Sequence, residues 1–531
     1  VKPDRSNSPE LADFSRAGLG AWQTAAEIVL VFVVFLIQGA SPVPEVNEPY
    51  YLGKAIHFWN PQWIPNDFFL NTADTHKVFY FTFGWLALWL TPTMLAWVGR
   101  LLTWGLLAWS WRRLSYALIP RAWIAVLTAA LFVCLQERFQ MAGEWVIGGV
   151  EAKGFAFVLV FLGLEALLQG RWNRMWLLLG AASAFHVLVG GWATAAAALA
   201  WMLLRRDRPS LVAMLPALMG GLLLSLPGLI PSLALVWGVD AEVVDRANTI
   251  YVFERLNHHL APAYFPDVYI YRFVAVVGFW ALLEWLTPLD SSRRRLRMFV
   301  VASLIIALIG VAASFLGMVS PSRSAGLLKF YWFRLSDVIV PLAAALLVVR
   351  YAVAALGVRP RLGQGVLAAA ILVAGLHVGA YALERPFPLV PKADSGRVEY
   401  WYWRDACRWI ATPGHVPPDA RFLTPLMSQT FKWYSGHSEV VNWKDIPQDP
   451  RSIVEWWDRI QDIYAGPIDE SDTQRYESLA RLGVARLERV GKKYRADYMI
   501  ARIWPRLPLE AVYENEVYVI YRLPGAEAGG P

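Results

Sequence analysis

Long apolar runs alternate with short polar connections over most of the chain, the pattern of helices that sit in lipid. The runs lie at 25–40 and then at roughly 95–111, 122–137, 152–169, 175–188, 190–204, 210–236, 268–287, 298–319, 328–349 and 364–383. A helix crosses the hydrocarbon core in about 20 residues, and although several of these runs are short, the pattern predicts eleven spans. Arginine clusters separate them: Arg112, Arg113 and Arg121; Arg171 and Arg174; Arg205, Arg206 and Arg208; Arg293, Arg294, Arg295 and Arg297; and Arg350, Arg359 and Arg361. Two predicted spans lie between successive clusters, so all five fall on one side, which the positive-inside rule makes the cytoplasm. With Lys2, Arg5 and Arg16 on that side too, the first run reads as a retained signal-anchor helix. The loops 138–151, 186–191, 237–267 and 319–327 then face outward.

The segment 40–77 breaks the pattern. It carries Glu45, Glu48, Asp67, Asp74, His57 and His76 among Tyr50, Tyr51, Phe58, Trp59, Trp63, Phe68 and Phe69, a composition suited to holding acids at the lipid–water boundary. It lies outside if 78–91, about 14 residues long, is an interfacial or re-entrant helix rather than a span; were 78–91 to cross, Glu48 would be cytoplasmic.

After Glu384 the composition changes. Pro386, Pro388 and Pro391 form a linker, and no run of spanning length follows. The chain therefore divides into a transmembrane part, 1–384, and a soluble α/β domain, 385–531. That domain is predicted to contain helices at 398–411, 451–464 and 472–490 and strands at 420–424, 438–443, 496–501, 510–514 and 517–522, the last two joined by a hairpin at Glu514-Asn515-Glu516.

Composition fits this picture: 56% of residues are hydrophobic and 27 are Trp, which excludes an ordinary soluble globule. The net charge of +7 does not indicate nucleic acid, because the basic residues fall in short clusters between apolar runs. Cys134 lies inside an apolar run and Cys407 in the polar tail, so neither a disulfide framework nor a cysteine metal site is indicated.

The candidate chemistry sits on the outward loops. In NEPYYLGKAIHFW, Asn47 suits an N-cap and Pro49 a first helical turn, and Glu48 complements the helix dipole; the plainer reading of Glu48 is a helix start, the functional one a catalytic carboxylate with Glu45 in reserve. In GEWVIGGVEAKGFAF, Glu151 and Lys153 follow Glu144 and two glycines at a membrane edge. Arg334 either pairs with Asp337 one turn on or, with Lys329, holds a lipid phosphate, since charge at membrane depth needs a partner or a polar cavity. Arg255 and His258 lie in the loop RANTIYVFERLNHHLAP, where His258-His259 alone is a weak metal signal. Arg100, within an apolar run, either snorkels or orients a carboxylate. The block 421–450 holds Lys432, Trp433, His437, Trp443 and Lys444, suited to domain packing or to stacking on a glycan.

An N-terminal membrane helix, an outward loop with Glu48, Tyr51 and Ala55 on a juxtamembrane helix, about ten further spans and a C-terminal α/β domain resemble the GT-C superfamily of polytopic glycosyltransferases, including bacterial relatives of protein mannosyltransferases and aminoarabinose transferases. The chain departs from the usual Asp-Glu pair by having Asn47-Glu48. The resemblance implies a bacterial inner-membrane enzyme that moves a sugar, with inversion, from a polyprenyl-phosphate donor to a glycan, lipid or protein acceptor on the extracytoplasmic side. It implies Glu48 as general base and Lys153, Glu151, Arg255, His258, Lys329, Arg334 and Arg100 as substrate-binding residues. Divalent-metal dependence varies in such enzymes, and the sequence, which has no metal motif, leaves the cofactor open. A transporter or flippase of a lipid-linked or amphipathic solute is the alternative; it predicts inverted repeats and midplane charges, neither of which is visible here.

Overall fold

The computed structural model describes residues 20–205, 207–384, 389–397, 399–464 and 478–524. Lys2, Arg5, Arg16, Arg206, Pro386, Pro388 and the start of the helix expected over 472–490 lie outside the described residues.

Helices dominate. In chain order they are α1 (Ala21–Gly39), α2 (Glu48–Trp59), α3 (Lys77–Thr82), α4 (Pro92–Leu118), α5 (Ile124–Arg138), α6 (Ala152–Leu168), α7 (Trp172–Phe185), α8 (Val187–Leu203), α9 (Leu211–Ala234), α10 (Ala241–Thr249), α11 (Asn257–Leu260), α12 (Asp267–Leu286), α13 (Ser291–Phe315), α14 (Pro321–Leu328), α15 (Arg334–Val358) and α16 (Pro360–Glu384). Each apolar run of the sequence has its helix within a few residues. Among the described residues six helices are long and apolar enough to cross a membrane: α1, α9, α12, α13 with its short extension to Met318, α15 and α16. The chain is thus a multi-pass helical membrane protein. The stretch 78–91 forms only α3 and a 3-10 turn, Gly84–Leu88, too short to span at about 1.5 Å per residue.

Packing separates the helices by role. Every side chain of α15 from Leu335 to Leu347 is buried, which makes α15 the centre of the bundle. In contrast α9, α12 and α16 leave Leu223, Ile230, Trp285 and Leu376 exposed, apolar faces that suit lipid rather than water. Helices α7 and α9 approach through glycine: a Cβ on Gly180 would lie 2.1 Å from the Gly221 carbonyl oxygen, so no larger residue fits.

Ion pairs chain the arginine clusters together. Glu165 joins Arg113 at 2.8 Å to Arg174 at 3.3 Å, Asp207 pairs with Arg294 and Asp290 with Arg350, and Arg350 donates to the Leu118 carbonyl at 2.6 Å. The clusters therefore share one end of the bundle, as their spacing predicted.

The C-terminal region adds α17 (Tyr400–Ala411), β1 (Arg421–Leu423), α18 (Phe431–Ser435), β2 (Ser438–Glu439), α19 (Pro450–Tyr464), α20 (Val484–Tyr494), β3 (Tyr498–Arg502), β4 (Ala511–Glu514) and β5 (Tyr518–Arg522). The sheet order is β2-β1-β3-β5-β4, with β2, β1 and β3 parallel and β5 antiparallel to both β3 and β4. Tyr498, Ile500 and Ile520 face α17, while Met499, Ala501, Val519 and Tyr521 face the cluster that holds α19 and α20. This is strand alternation with both faces buried. The strand expected over 438–443 shrinks to two residues; beyond it Val441 packs in the cluster that holds α19, and the Asn442 carbonyl accepts Trp456 Nε1 at 2.9 Å.

Candidate functional site

At the end of the bundle away from the arginines, a cavity of about 520 Å³ opens between the 40–77 segment, the 139–151 loop, the break at His186, the 237–267 loop, the start of α15 and residues 429–453. Distant parts of the sequence build every wall.

The 40–77 segment contributes the start of α2. Pro49 occupies the first turn, but Asn47 makes no side-chain cap, contrary to expectation. Its amide instead donates to Glu151 Oε1 at 2.9 Å, and the helix start is closed by Glu48 Oε2, which accepts the Glu45 N–H at 2.8 Å. Glu48 is fully buried. Its two oxygens accept Arg100 Nε and Nη2, each at 2.7 Å, and Oε1 also accepts the Val150 N–H at 3.0 Å. Arg100 therefore orients a carboxylate, and that carboxylate is Glu48. With four donors on two oxygens Glu48 is committed and does not line the cavity; Arg100 and Glu45 are absent from its walls too, Glu45 pairing with Lys392 at 2.8 Å. Glu48 therefore faces Arg100 and the 139–151 loop rather than the cavity, because the buried guanidinium needs a carboxylate partner.

The 139–151 loop is tied down at both ends. Asp337, one possible partner for Arg334, accepts the Met141 and Ala142 N–H groups at 2.9 and 2.8 Å instead. At Gly149 an added Cβ would meet Glu45 Cβ at 2.6 Å and Glu48 Cγ at 3.1 Å, so glycine lets the loop lie against the 45–48 turn. The loop thereby presents Glu144 and Glu151 beside Lys153.

The other predicted substrate-binding residues converge on this space: Lys153, Glu151, Arg255, His258, Lys329 and Arg334 all line the cavity. Glu144, between Lys153 at 3.1 Å and Arg334 at 2.5 Å, links the two cations. Burial would raise its carboxyl, but Arg334 and Lys153 prevail and hold it below the usual carboxylate range. Glu151 stands the other way: burial outweighs Lys153 and the Asn47 bond, and its carboxyl is raised. Arg255 donates to the Trp443 carbonyl at 2.8 Å, and Lys329 to Asn248 Oδ1 at 3.1 Å. His259 gives one ring nitrogen to the Ala142 carbonyl at 2.6 Å, and burial pushes its pKa down to about 3, so it is neutral.

Three further residues line the cavity that sequence reasoning did not count among the substrate-binding residues. Lys444 lines the cavity with no hydrogen bond or ion pair to its ammonium among the described residues, and burial, then Arg255, pushes it down to about 8. Asp445 also lines the cavity, and its Oδ2 is held by Lys432 at 2.6 Å within a buried group that includes Asp67 and Glu439. His76 lines it as well, backed by Asp74 at 3.0 Å. The signal for all three was present only as polar residues among aromatics. The end of α9, with Leu229, Leu233 and Val236, supplies an apolar wall. Among the described residues no group of three or more His, Cys, Asp or Glu is placed to hold a metal ion.

The family model described as a domain of unknown function, DUF6798, matches residues 402–463, the part of the C-terminal region from α17 through α19 that includes the cavity residues Lys444 and Asp445. No curated protein matches the chain.

Proposed function

We propose that this chain is a membrane glycosyltransferase of GT-C type that moves a sugar, with inversion, from a polyprenyl-phosphate donor to a hydroxyl acceptor on a glycan, lipid or protein. One observation carries the reading: five cationic side chains, Lys153, Arg255, Lys329, Arg334 and Lys444, and the carboxylates Glu144, Glu151 and Asp445 line one cavity that also has an apolar wall at the end of α9. Cations suit a phosphate and its developing charge, an apolar wall suits a lipid chain, and carboxylates suit sugar hydroxyls.

In this reading α1, α4 to α9, α12, α13, α15 and α16 are the eleven spans. The arginine end and the N-terminus are cytoplasmic, and the cavity and the C-terminal domain face the outside of a bacterial inner membrane. Arg334 and Lys153, held apart by Glu144, receive the phosphate, and Arg255, Lys329 and Lys444 complete the cationic wall. Glu151, positioned by Asn47, accepts a hydrogen bond from a sugar hydroxyl. Glu48 and Arg100 position the Asn47 turn and the 139–151 loop, so the base belongs among the groups that line the cavity.

The test is transfer of label by purified full-length protein from a panel of radiolabelled polyprenyl-phosphate sugars. Transfer is expected, and Arg334→Gln should lower it by about 10²–10³-fold, the scale of losing one preorganised charge partner. A protein that binds polyprenyl phosphate and moves it between leaflets without transfer is a flippase. A protein that binds none overturns the reading of the site.

A further inference from the structure

We infer that His76, with Asp74 behind it, is the general base that takes the acceptor's proton. The inference rests on the proposed glycosyl transfer and names a residue of the same site. Asp74-Thr75-His76 follows a turn locked by Lys54, whose ammonium donates to the Thr72 carbonyl at 2.6 Å and to Thr72 Oγ1 at 2.9 Å. Asp74 Oδ1 then accepts both the His76 backbone N–H at 2.7 Å and the ring Nδ1–H at 3.0 Å. Both side chains are more than nine-tenths buried, Asp74 being 3% and His76 8% exposed.

The ring has little freedom. Tyr51 packs edge-on against it with centroids 5.0 Å apart, and the His186 ring lies at 5.5 Å. Gln448 Oε1 accepts the Thr75 N–H and Oγ1–H at 3.1 and 2.9 Å, which leaves its Nε2, a donor, 3.2 Å from Nδ1 and 3.4 Å from the Tyr50 hydroxyl that receives its hydrogen while Nδ1–H goes to Asp74. Nε2 has no hydrogen-bond partner among the described residues, and it is not among the buried atoms left unpaired, so it opens on the cavity that His76 lines. Burial would raise the Asp74 carboxyl, but His76 and then Lys54 hold it well below the usual carboxylate range, so a carboxylate faces Nδ1. A carboxylate there fixes the tautomer that carries hydrogen on Nδ1 and a lone pair on Nε2, and it stabilises the imidazolium that forms.

The step balances without a further reactant. The acceptor hydroxyl gives its proton to His76 Nε2, and its oxygen forms the new bond to the sugar's anomeric carbon. The bond from that carbon to the donor phosphate oxygen breaks, and its electron pair stays on the polyprenyl phosphate beside Arg334 and Lys153. The imidazolium, paired with Asp74, then returns its proton to solvent. A sequence scan for carboxylates passes over this pair, since Asp-x-His in an aromatic loop also reads as an ordinary turn.

The experiment measures transfer from the polyprenyl-phosphate sugar and binding of polyprenyl phosphate, the latter by quenching of tryptophan fluorescence, for wild type, His76→Gln, Asp74→Asn and His76→Gly. Transfer should fall by about 10²–10⁴-fold in His76→Gln and Asp74→Asn while carrier affinity stays within about twofold, and added imidazole should restore part of the transfer by His76→Gly. Wild-type transfer by His76→Gln overturns the inference and leaves the enzyme class standing. Loss of transfer together with carrier binding, unrelieved by imidazole, makes the pair a structural staple and overturns the inference as well. A wild type that transfers nothing overturns the enzyme class and the inference with it.

Discussion

Replacing Glu48 by Gln separates a structural carboxylate from a chemical one. Four donors converge on Glu48: Arg100 Nε and the Val150 N–H on Oε1, and Arg100 Nη2 and the Glu45 N–H on Oε2. A glutamine keeps one oxygen and turns an NH2 group toward the other two donors, so half of the acceptor capacity is lost. The Arg100 guanidinium, 0% exposed, is left without an anion and keeps only neutral acceptors, the one amide oxygen and the Ser41 carbonyl at 2.5 Å. Breaking a buried pair by removing one partner costs about 3–5 kcal/mol, mostly the penalty of the stranded charge. Removing both charges in Glu48→Gln/Arg100→Gln takes that penalty away, so the double variant should recover about 1–3 kcal/mol relative to the sum of the singles. The assay is unfolding in detergent for wild type, both single variants and the double variant, with carrier binding followed in parallel. Because Glu48 also holds the Val150 N–H next to Glu151, Glu48→Gln should lose stability and carrier binding together. A Glu48→Gln protein as stable as wild type, binding carrier normally but unable to transfer, would refute the structural assignment and restore Glu48 as the base.

Further outcomes follow from the same geometry. Gly149→Ala forces a Cβ to within 2.6 Å of Glu45 Cβ, atoms close to the main chain that cannot swing away, and should lower stability and carrier binding. Gly191→Ala meets nothing within 4 Å on α8 and should stabilise by about 0.5–1 kcal/mol through helix propensity; thermal unfolding of the two variants compares them. Lys444, pushed down to about 8 by burial, is charged below that pH and neutral above it. Affinity for polyprenyl phosphate should therefore decline as pH rises through about 8, and Lys444→Met should flatten that decline. Stability runs the other way: between about 8 and 10.5 the unfolded chain binds this proton more tightly than the folded one, so the Lys444 contribution to stability rises with pH across that window.

Hydropathy alone placed the long apolar helices, because an apolar side chain carries its preference for lipid or core wherever it stands in the chain. The five arginine clusters were legible for the same reason, and ion pairs through Glu165, Asp207 and Asp290 bring them to one end. Lys153, Arg255, Lys329 and Arg334 also announced themselves, since a charge at the margin of an apolar run is costly unless something polar receives it. In the C-terminal region the strands expected over 510–514 and 517–522, joined at Glu514-Asn515-Glu516, are β4 and β5, which pair antiparallel.

The tertiary structure decided how these charges are used. A carboxylate's role depends on which donors reach it, and for Glu48 two of those donors come from Arg100 and one from Val150, far along the chain. Asn47 looked like a helix cap and became the support of Glu151, because Glu48 had already closed the helix start. Asp337 looked like a partner for Arg334 and instead anchors the 139–151 loop, which frees Arg334 for Glu144. The Asp74–His76 pair acquires its direction only when Tyr51, His186 and Gln448 confine the ring. Sequence periodicity records how much each side chain favours burial, a property of one residue at a time. Which buried charges meet depends on relations among residues tens to hundreds of positions apart, and only the folded chain brings those together.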